Sequence, residues 1–242
     1  VLDVNQGAWK LETERGVIMD GDKSEHLLEA VPVMGQFCDI IGVRSFARFE
    51  NKAFDYEETI LNQFIKYSGK PVFSMESGTV HPLQAFADLI TIEEYKKKER
   101  PKVVLTWAPH PRALPQAVPN SFADFMNEAN VDFVITHPEG YELAEQFARN
   151  AKIEYNQDKA FEGADFIYAK NWSAYQDPNY GKILSQDMSW TVDSKKMALT
   201  NKFCVITGGP GTGKTAVQRA LLDLYRDKYP EAEIICCAPT GQ

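Results

Sequence analysis

Short β-branched and aromatic runs alternate with longer segments of helical period along most of the chain. Strands are expected at Asp39 to Val43, Pro71 to Met75, Lys102 to Trp107, Val131 to Thr136, Lys152 to Tyr155, Asp165 to Ala169, Phe203 to Thr207 and Glu233 to Cys237. Helices are expected near Glu25 to Phe37, Tyr56 to Tyr67, Pro82 to Lys98, Ser121 to Asn130, Tyr141 to Ala151 and Lys214 to Lys228. This alternation predicts an α/β fold of parallel sheets joined by crossover helices. The helix from Pro82 has the clearest pattern, with Leu83, Phe86, Leu89, Ile90 and Ile92 predicted on its inner side and Glu93, Glu94 and the lysines Lys96 to Lys98 in water. That basic run falls where a helix C-terminus favours cations, and is expected to be a solvated face. Between Ala108 and Pro119 stand four prolines in twelve residues, which predicts a stiff, non-helical loop leaving the strand that ends at Trp107. Ligands of open α/β sheets bind at that carboxyl edge.

Composition narrows the function classes. With 242 residues, 44% of them hydrophobic, the chain can bury a sizeable core. A net charge of −8 disfavours a protein that coats nucleic acid or an anionic membrane over its whole surface. No run reaches the roughly 18 to 20 apolar residues of a membrane span, and Val1 to Lys10 lacks the plan of a signal peptide. Cys38, Cys204, Cys236 and Cys237 form no CxxC pair and sit in apolar runs, so they are expected to be reduced, buried thiols of a cytoplasmic protein. Val1 to Val4 has the character of a strand's tail, and the first element is expected to begin upstream.

Candidate chemistry falls where strands end and helices begin. Arg44 closes an apolar strand. In His81-Pro82-Leu83-Gln84, Pro82 suits the first helical position, which puts His81 at the N-cap and Gln84 in the first turn, beside free N–H groups and the positive end of the helix dipole. The run His81-Pro82-Leu83-Gln84-Ala85-Phe86-Ala87-Asp88 resembles the His-Pro-x-Gln-x-x-x-Asp motif of the aspartate and ornithine transcarbamylases. Asn5 to Trp9, Ile41 to Phe46, Thr106 to Pro111 and Phe161 to Trp172 resemble the branch of that family acting on N-acetyl- or N-succinyl-ornithine, and the resemblance spans Val1 to about Asn201.

The resemblance implies transfer of a carbamoyl group from carbamoyl phosphate to the side-chain amine of an N-acylornithine, in arginine biosynthesis, with no cofactor. It implies that Arg44 grips phosphate and carbonyl oxygens, His81 donates to the carbonyl oxygen, Gln84 holds the carbamoyl NH2, and Trp9 reaches the site of a neighbouring subunit in a homotrimer. Glu76, His110 and Lys170 would line the second substrate. Taken alone, His110 fits equally as a loop residue held by prolines, Lys170 as a strand-end cation and Trp9 as core. Two subdomains are expected, 1–98 for carbamoyl phosphate and 99–201 for the ornithine derivative, both incomplete. The family's Ser-x-Arg-Thr-Arg and His-Cys-Leu-Pro stretches do not occur, and Ser24 matches neither residue expected in the loop that chooses the acyl group.

A second constellation closes the chain. Gly208-Gly209-Pro210-Gly211-Thr212-Gly213-Lys214-Thr215 satisfies G-x-x-x-x-G-K-[ST] between a predicted strand and helix. In such a loop the N–H groups of Gly208, Gly209, Gly211, Thr212 and Gly213 wrap a phosphate, Lys214 neutralises it and Thr215 holds Mg²⁺, so Mg-ATP is the expected ligand. With Cys236 to Gln242, the segment 202–242 resembles the start of a RecD-like superfamily 1 DNA helicase, a strand, P-loop, helix and strand. A carbamoyltransferase lacking some of its parts is the leading reading. An ATP-binding helicase fragment, with nucleic acid as a partner under that reading alone, and a nonfunctional hybrid of the two remain as alternatives.

Overall fold

The computed structural model describes residues 10–200. In chain order the elements are β1 (Leu11–Glu12), β2 (Glu25–His26), α1 (Leu27–Gln36), β3 (Ile41–Arg44), α2 (Lys52–Tyr56), α3 (Thr59–Tyr67), β4 (Val72–Glu76), α4 (Pro82–Tyr95), β5 (Lys102–Trp107), α5 (Ala117–Glu128), β6 (Asp132–Thr136), α6 (Glu145–Ala148), β7 (Lys152–Ile153), α7 (Gln157–Phe161) and β8 (Phe166–Lys170). A 3₁₀ turn (Met188–Trp190) and α8 (Ser194–Met197) follow. All strand pairs are parallel: β1 with β2, β3 with β4, and a four-stranded sheet in the order β7-β6-β5-β8. The α/β class with crossover helices is therefore as the alternation predicts. The strands and helix expected from Phe203 onward, with Cys204, Cys236 and Cys237, lie outside the described residues.

The larger sheet holds the main core. Val103, Leu105 and Trp107 of β5 face α4 and α5 through Ile92, Phe122 and Met126, while Val104 faces α7 with Phe161 and Ile167. Helices cover both faces, so the central strand is an unbroken apolar run and its limits match the expected Lys102 to Trp107. The Trp107 indole N–H donates to Trp172 O at 3.0 Å and that of Trp172 to Tyr141 O at 2.7 Å, which satisfies both rings inside the core.

Several expectations need correction. The predicted Tyr56–Tyr67 helix is broken: α2 ends at Tyr56, and Glu58 takes a left-handed φ of 53° before α3 starts. Helix α5 begins at Ala117, so Pro119 lies in its first turn, where a missing N–H is tolerated, and the stiff loop is shorter than expected. Helix α4 stops at Tyr95, leaving Lys96 to Lys98 beyond its last turn. Its inner side is the predicted one only in part, through Ile92 and Leu89, which pack into the core. Ala85 and Ile92 are buried, whereas Leu83, Phe86 and Ile90 are 49%, 54% and 43% exposed among the described residues. Of Tyr141 to Ala151 only α6 is helical, and Glu25–His26 pairs as β2 instead of starting α1. Cys38 is only half-buried, its thiol donating to Met34 O at 3.2 Å. Among the described residues no helix is long and apolar enough to cross a membrane.

Candidate functional site

The strand pair β3–β4 carries a register irregularity at its carboxyl end. Val43 pairs with Ser74, but Arg44 pairs with Glu76, so Met75 is the extra residue of a bulge. Without it Arg44 would oppose Met75; with it the guanidinium and the carboxylate stand side by side. Arg44 Nε donates to Glu76 Oε2 at 3.0 Å and Nη2 lies 2.9 Å from the same oxygen. The Glu76 side chain is 9% exposed and that of Arg44 57%, so the acid is enclosed and the base projects toward solvent. The Arg44 guanidinium also lies 5.0 Å from the centre of the Phe46 ring.

His81 joins this pair from the next element. It is the N-cap of α4, with Pro82 at the first helical position as expected, and its backbone N–H donates to Ser121 Oγ at 2.7 Å. Its Nε2 lies 3.6 Å from Glu76 Oε2, so one carboxylate oxygen faces both Arg44 and His81. Burial holds the imidazole below its ordinary pKa; Glu76 pulls it upward, and the positive charges of Arg44 and Lys170 push it down. The ring is thus predominantly neutral near pH 7.

Gln84 lies one turn into α4 and its Nε2 donates to Asp88 Oδ1 at 2.9 Å, an i,i+4 contact along the helix. A carboxylate only accepts, so Asp88 turns the Gln84 NH2 toward itself and leaves the amide oxygen to accept from elsewhere. Burial pushes the Asp88 carboxyl up to about 6, against the hydrogen bonds from Tyr168 and Gln84.

Lys170 closes β8, and its positive charge is among those that push the His81 pKa down. Its carbonyl accepts from Ala108 N at 3.1 Å, tying the proline-rich loop to the strand end. His110 is held within that loop instead, its Nδ1 accepting from Arg112 N at 3.1 Å. Arg44 and His81 thus both meet Glu76, Lys170 acts on His81 through its charge, and His110 is bound locally. Trp9 and the phosphate-loop residues Gly208 to Thr215 lie outside the described residues.

Three features near the site have no counterpart in the sequence reading. Asp55, 4% exposed, accepts from Arg48 N, Phe49 N and the Tyr180 hydroxyl. Tyr56 Oη donates to Gln116 Oε1 at 2.5 Å, and Gln116 in turn donates to Ser173 O at 2.9 Å. Glu58 accepts from Ser77 Oγ, Gly78 N and Thr79 N in the turn before His81. Asp88, by contrast, carried a legible signal, four residues beyond Gln84 in one motif. Among the described residues no group of three or more His, Cys, Asp or Glu is placed to hold a metal ion.

The family model for the aspartate/ornithine carbamoyltransferase carbamoyl-P binding domain matches residues 4–94, and that for an AAA domain matches residues 192–242. Over 201 residues, 83% of this chain, the sequence is 78% identical to an N-succinylornithine carbamoyltransferase of Bacteroides thetaiotaomicron, and it spans 63% of that protein's length. It is 36% identical over 222 aligned residues to an N-acetylornithine carbamoyltransferase of Xanthomonas campestris pv. campestris, with 83% of this chain and 65% of that one covered. A solved structure of an N-acetyl-L-ornithine transcarbamylase mutant, complexed with carbamyl phosphate and N-succinyl-L-norvaline, superposes with a TM-score of 0.75 at 34% identity, covering 86% of this chain and 68% of that one.

Proposed function

Given that the chain belongs to the aspartate/ornithine carbamoyltransferase family, we propose that it contributes the carbamoyl-phosphate seat and part of the second-substrate seat of an enzyme that carbamoylates an N-acylornithine. The observation that carries this reading is the convergence of Arg44, Glu76 and His81 at the carboxyl edge of β3–β4, on residues where the chain resembles the transcarbamylase motifs. In the reaction the amine nitrogen bonds to the carbonyl carbon, the bond from that carbon to the phosphate oxygen breaks, phosphate leaves with the electron pair, and the amine loses a proton. No metal or cofactor is required.

Arg44 provides the fork that matches phosphate and carbonyl oxygens. Neutral His81 donates through Nε2 to the carbonyl oxygen as charge develops there. The Gln84 oxygen, freed by the Asp88 contact, accepts from the carbamoyl NH2. Glu76 lies at the junction, where a carboxylate can orient the cationic side or take up the amine proton. Lys170 and His110 line the second substrate. Trp9 completes a neighbouring site in a cytoplasmic homotrimer.

The test is transfer of a radiolabelled carbamoyl group to N-succinylornithine and to N-acetylornithine. Little turnover is expected of a chain with part of the second-substrate seat, and any label that wild-type protein moves into an acylcitrulline should be lost with Arg44→Ala. Label transfer that survives Arg44→Ala would sink the assignment of that residue. A second reading is favoured by the AAA-domain match at residues 192–242: Gly208 to Thr215 bind Mg-ATP. Mg-ATP should then raise the melting temperature, and an equal rise in Lys214→Ala would refute it.

A further inference from the structure

Glu58 occupies a backbone conformation that favours glycine. Its φ is 53° and its ψ 40°, in the left-handed region, where a residue with a Cβ is held only by its surroundings. No side-chain cap of α3 explains the choice, because the carboxylate turns away from the helix it precedes. Instead it enters the turn between β4 and α4. Oε1 accepts from Ser77 Oγ at 2.7 Å, from Thr79 N at 2.9 Å and from Thr79 Oγ1, and Oε2 accepts from Gly78 N at 3.3 Å.

That turn is the short link between Glu76 and His81. Ser77 is fully buried and Thr79 is 3% exposed, so the donors that Glu58 satisfies have little water to fall back on. Gly78 lies against the same junction: a Cβ there would meet Asp55 O at 2.7 Å, so the two backbones touch. From the opposite side α5 holds the turn, through Asn120 Nδ2 donating to Thr79 O at 3.1 Å and Ser121 Oγ accepting from His81 N. The link is therefore clamped between the α2–α3 junction and α5.

We propose that Glu58 is a positioning residue: its carboxylate fixes the Ser77–Val80 turn and through it the distance and angle between Glu76 and His81. The proposal deepens the carbamoyl-phosphate reading and rests on it for its consequence, but its structural half stands alone. An anion seated among turn N–H groups and hydroxyls sets their direction, as bound anions do in backbone nests. Glutamine in its place keeps one accepting oxygen and turns an NH2 toward a donor, so two donors face each other.

The test compares wild type, Glu58→Gln and Thr79→Val by two readings, the His81 imidazole titration followed by NMR and the affinity for carbamoyl phosphate measured by calorimetry. The groups facing His81 are Glu76, Arg44 and Lys170, and none of them is altered. We expect the His81 titration in Glu58→Gln to move up toward the ordinary histidine value as the ring gains solvent, and carbamoyl phosphate to bind at least tenfold more weakly. Thr79→Val, which removes one donated bond, should move both readings the same way by less, and it serves alone if Glu58→Gln does not fold. An unchanged His81 titration in the folded variants overturns the proposal. Failure of wild type to bind carbamoyl phosphate would overturn the functional reading, and the His81 titration would still decide the role of Glu58.

Discussion

Replacing Asp88 with asparagine separates the charge of this carboxyl from its shape. The carboxyl titrates at about 6 against an ordinary value of 3.8, chiefly because of burial. A folded-state value above the unfolded one means that the group's contribution to stability is fully present below the unfolded value and is lost as pH rises through the folded one. The window runs from about pH 4 to above pH 6. A difference of about two in pKa corresponds to about 3 kcal/mol, and because Asp88 is only half-buried a figure of ~1–3 kcal/mol is reasonable. For a chain of this size that is about 3–10 °C in melting temperature. The substituted amide never ionises and can still accept from Gln84 through its own oxygen, so Asp88→Asn should melt higher than wild type at pH 7.5, and the gap should close toward pH 4. The same variant releases the constraint on Gln84, because an amide can present NH2 or oxygen, and carbamoyl phosphate affinity should fall although stability rises. The assay is a set of thermal melts from pH 4 to 8 on both proteins. Parallel curves, with no closing of the gap, would refute the burial argument.

Gly78→Ala should destabilise by ~1–3 kcal/mol, since its Cβ meets a backbone oxygen that has no flexible end to move aside; chemical denaturation measures it. Tyr180→Phe removes the 2.8 Å bond to the buried Asp55 carboxylate and should lower stability by about 1–2 kcal/mol, with no change in carbamoyl phosphate affinity. His137 is 1% exposed, and burial holds it below the ordinary histidine value. Its contribution is therefore complete above about pH 6.5 and falls away as pH drops through that value toward the folded one. His137→Gln should show a shallower acid limb in thermal melts than wild type.

How much of this was legible in the sequence depended on how local each cause is. Three strands of the larger sheet, β5, β6 and β8, stood out because parallel strands covered on both faces become continuous apolar runs, and Lys102 to Trp107 was located to the residue. Helix α4 was legible at its start, where His81 and Pro82 are local signals, and misjudged along its length, because Leu83, Phe86 and Ile90 have helical period without burial. The break at Glu58 was not legible at all: nothing in glutamate favours a left-handed conformation, and its cause lies some twenty residues away at Ser77 to Thr79. The site itself divided in the same way. Arg44, His81 and Gln84 were singled out from strand ends, caps and motif, whereas the bulge at Met75 that sets Glu76 against Arg44 is a property of strand register, and the bonds of Asp55 and Glu58 to distant backbone depend on the fold. His110 looked equivalent to Lys170 in sequence, and the local bond to Arg112 sets it apart.

If Arg44 and His81, brought together at Glu76, seat carbamoyl phosphate, the most direct measurement is a phosphorus NMR titration of carbamoyl phosphate with wild type, Arg44→Ala and, as a distant control, Lys195→Ala. The account predicts saturable binding by wild type and the control, with loss of at least a hundredfold in affinity for Arg44→Ala, about 3 kcal/mol. Equal affinity of wild type and folded Arg44→Ala would contradict it.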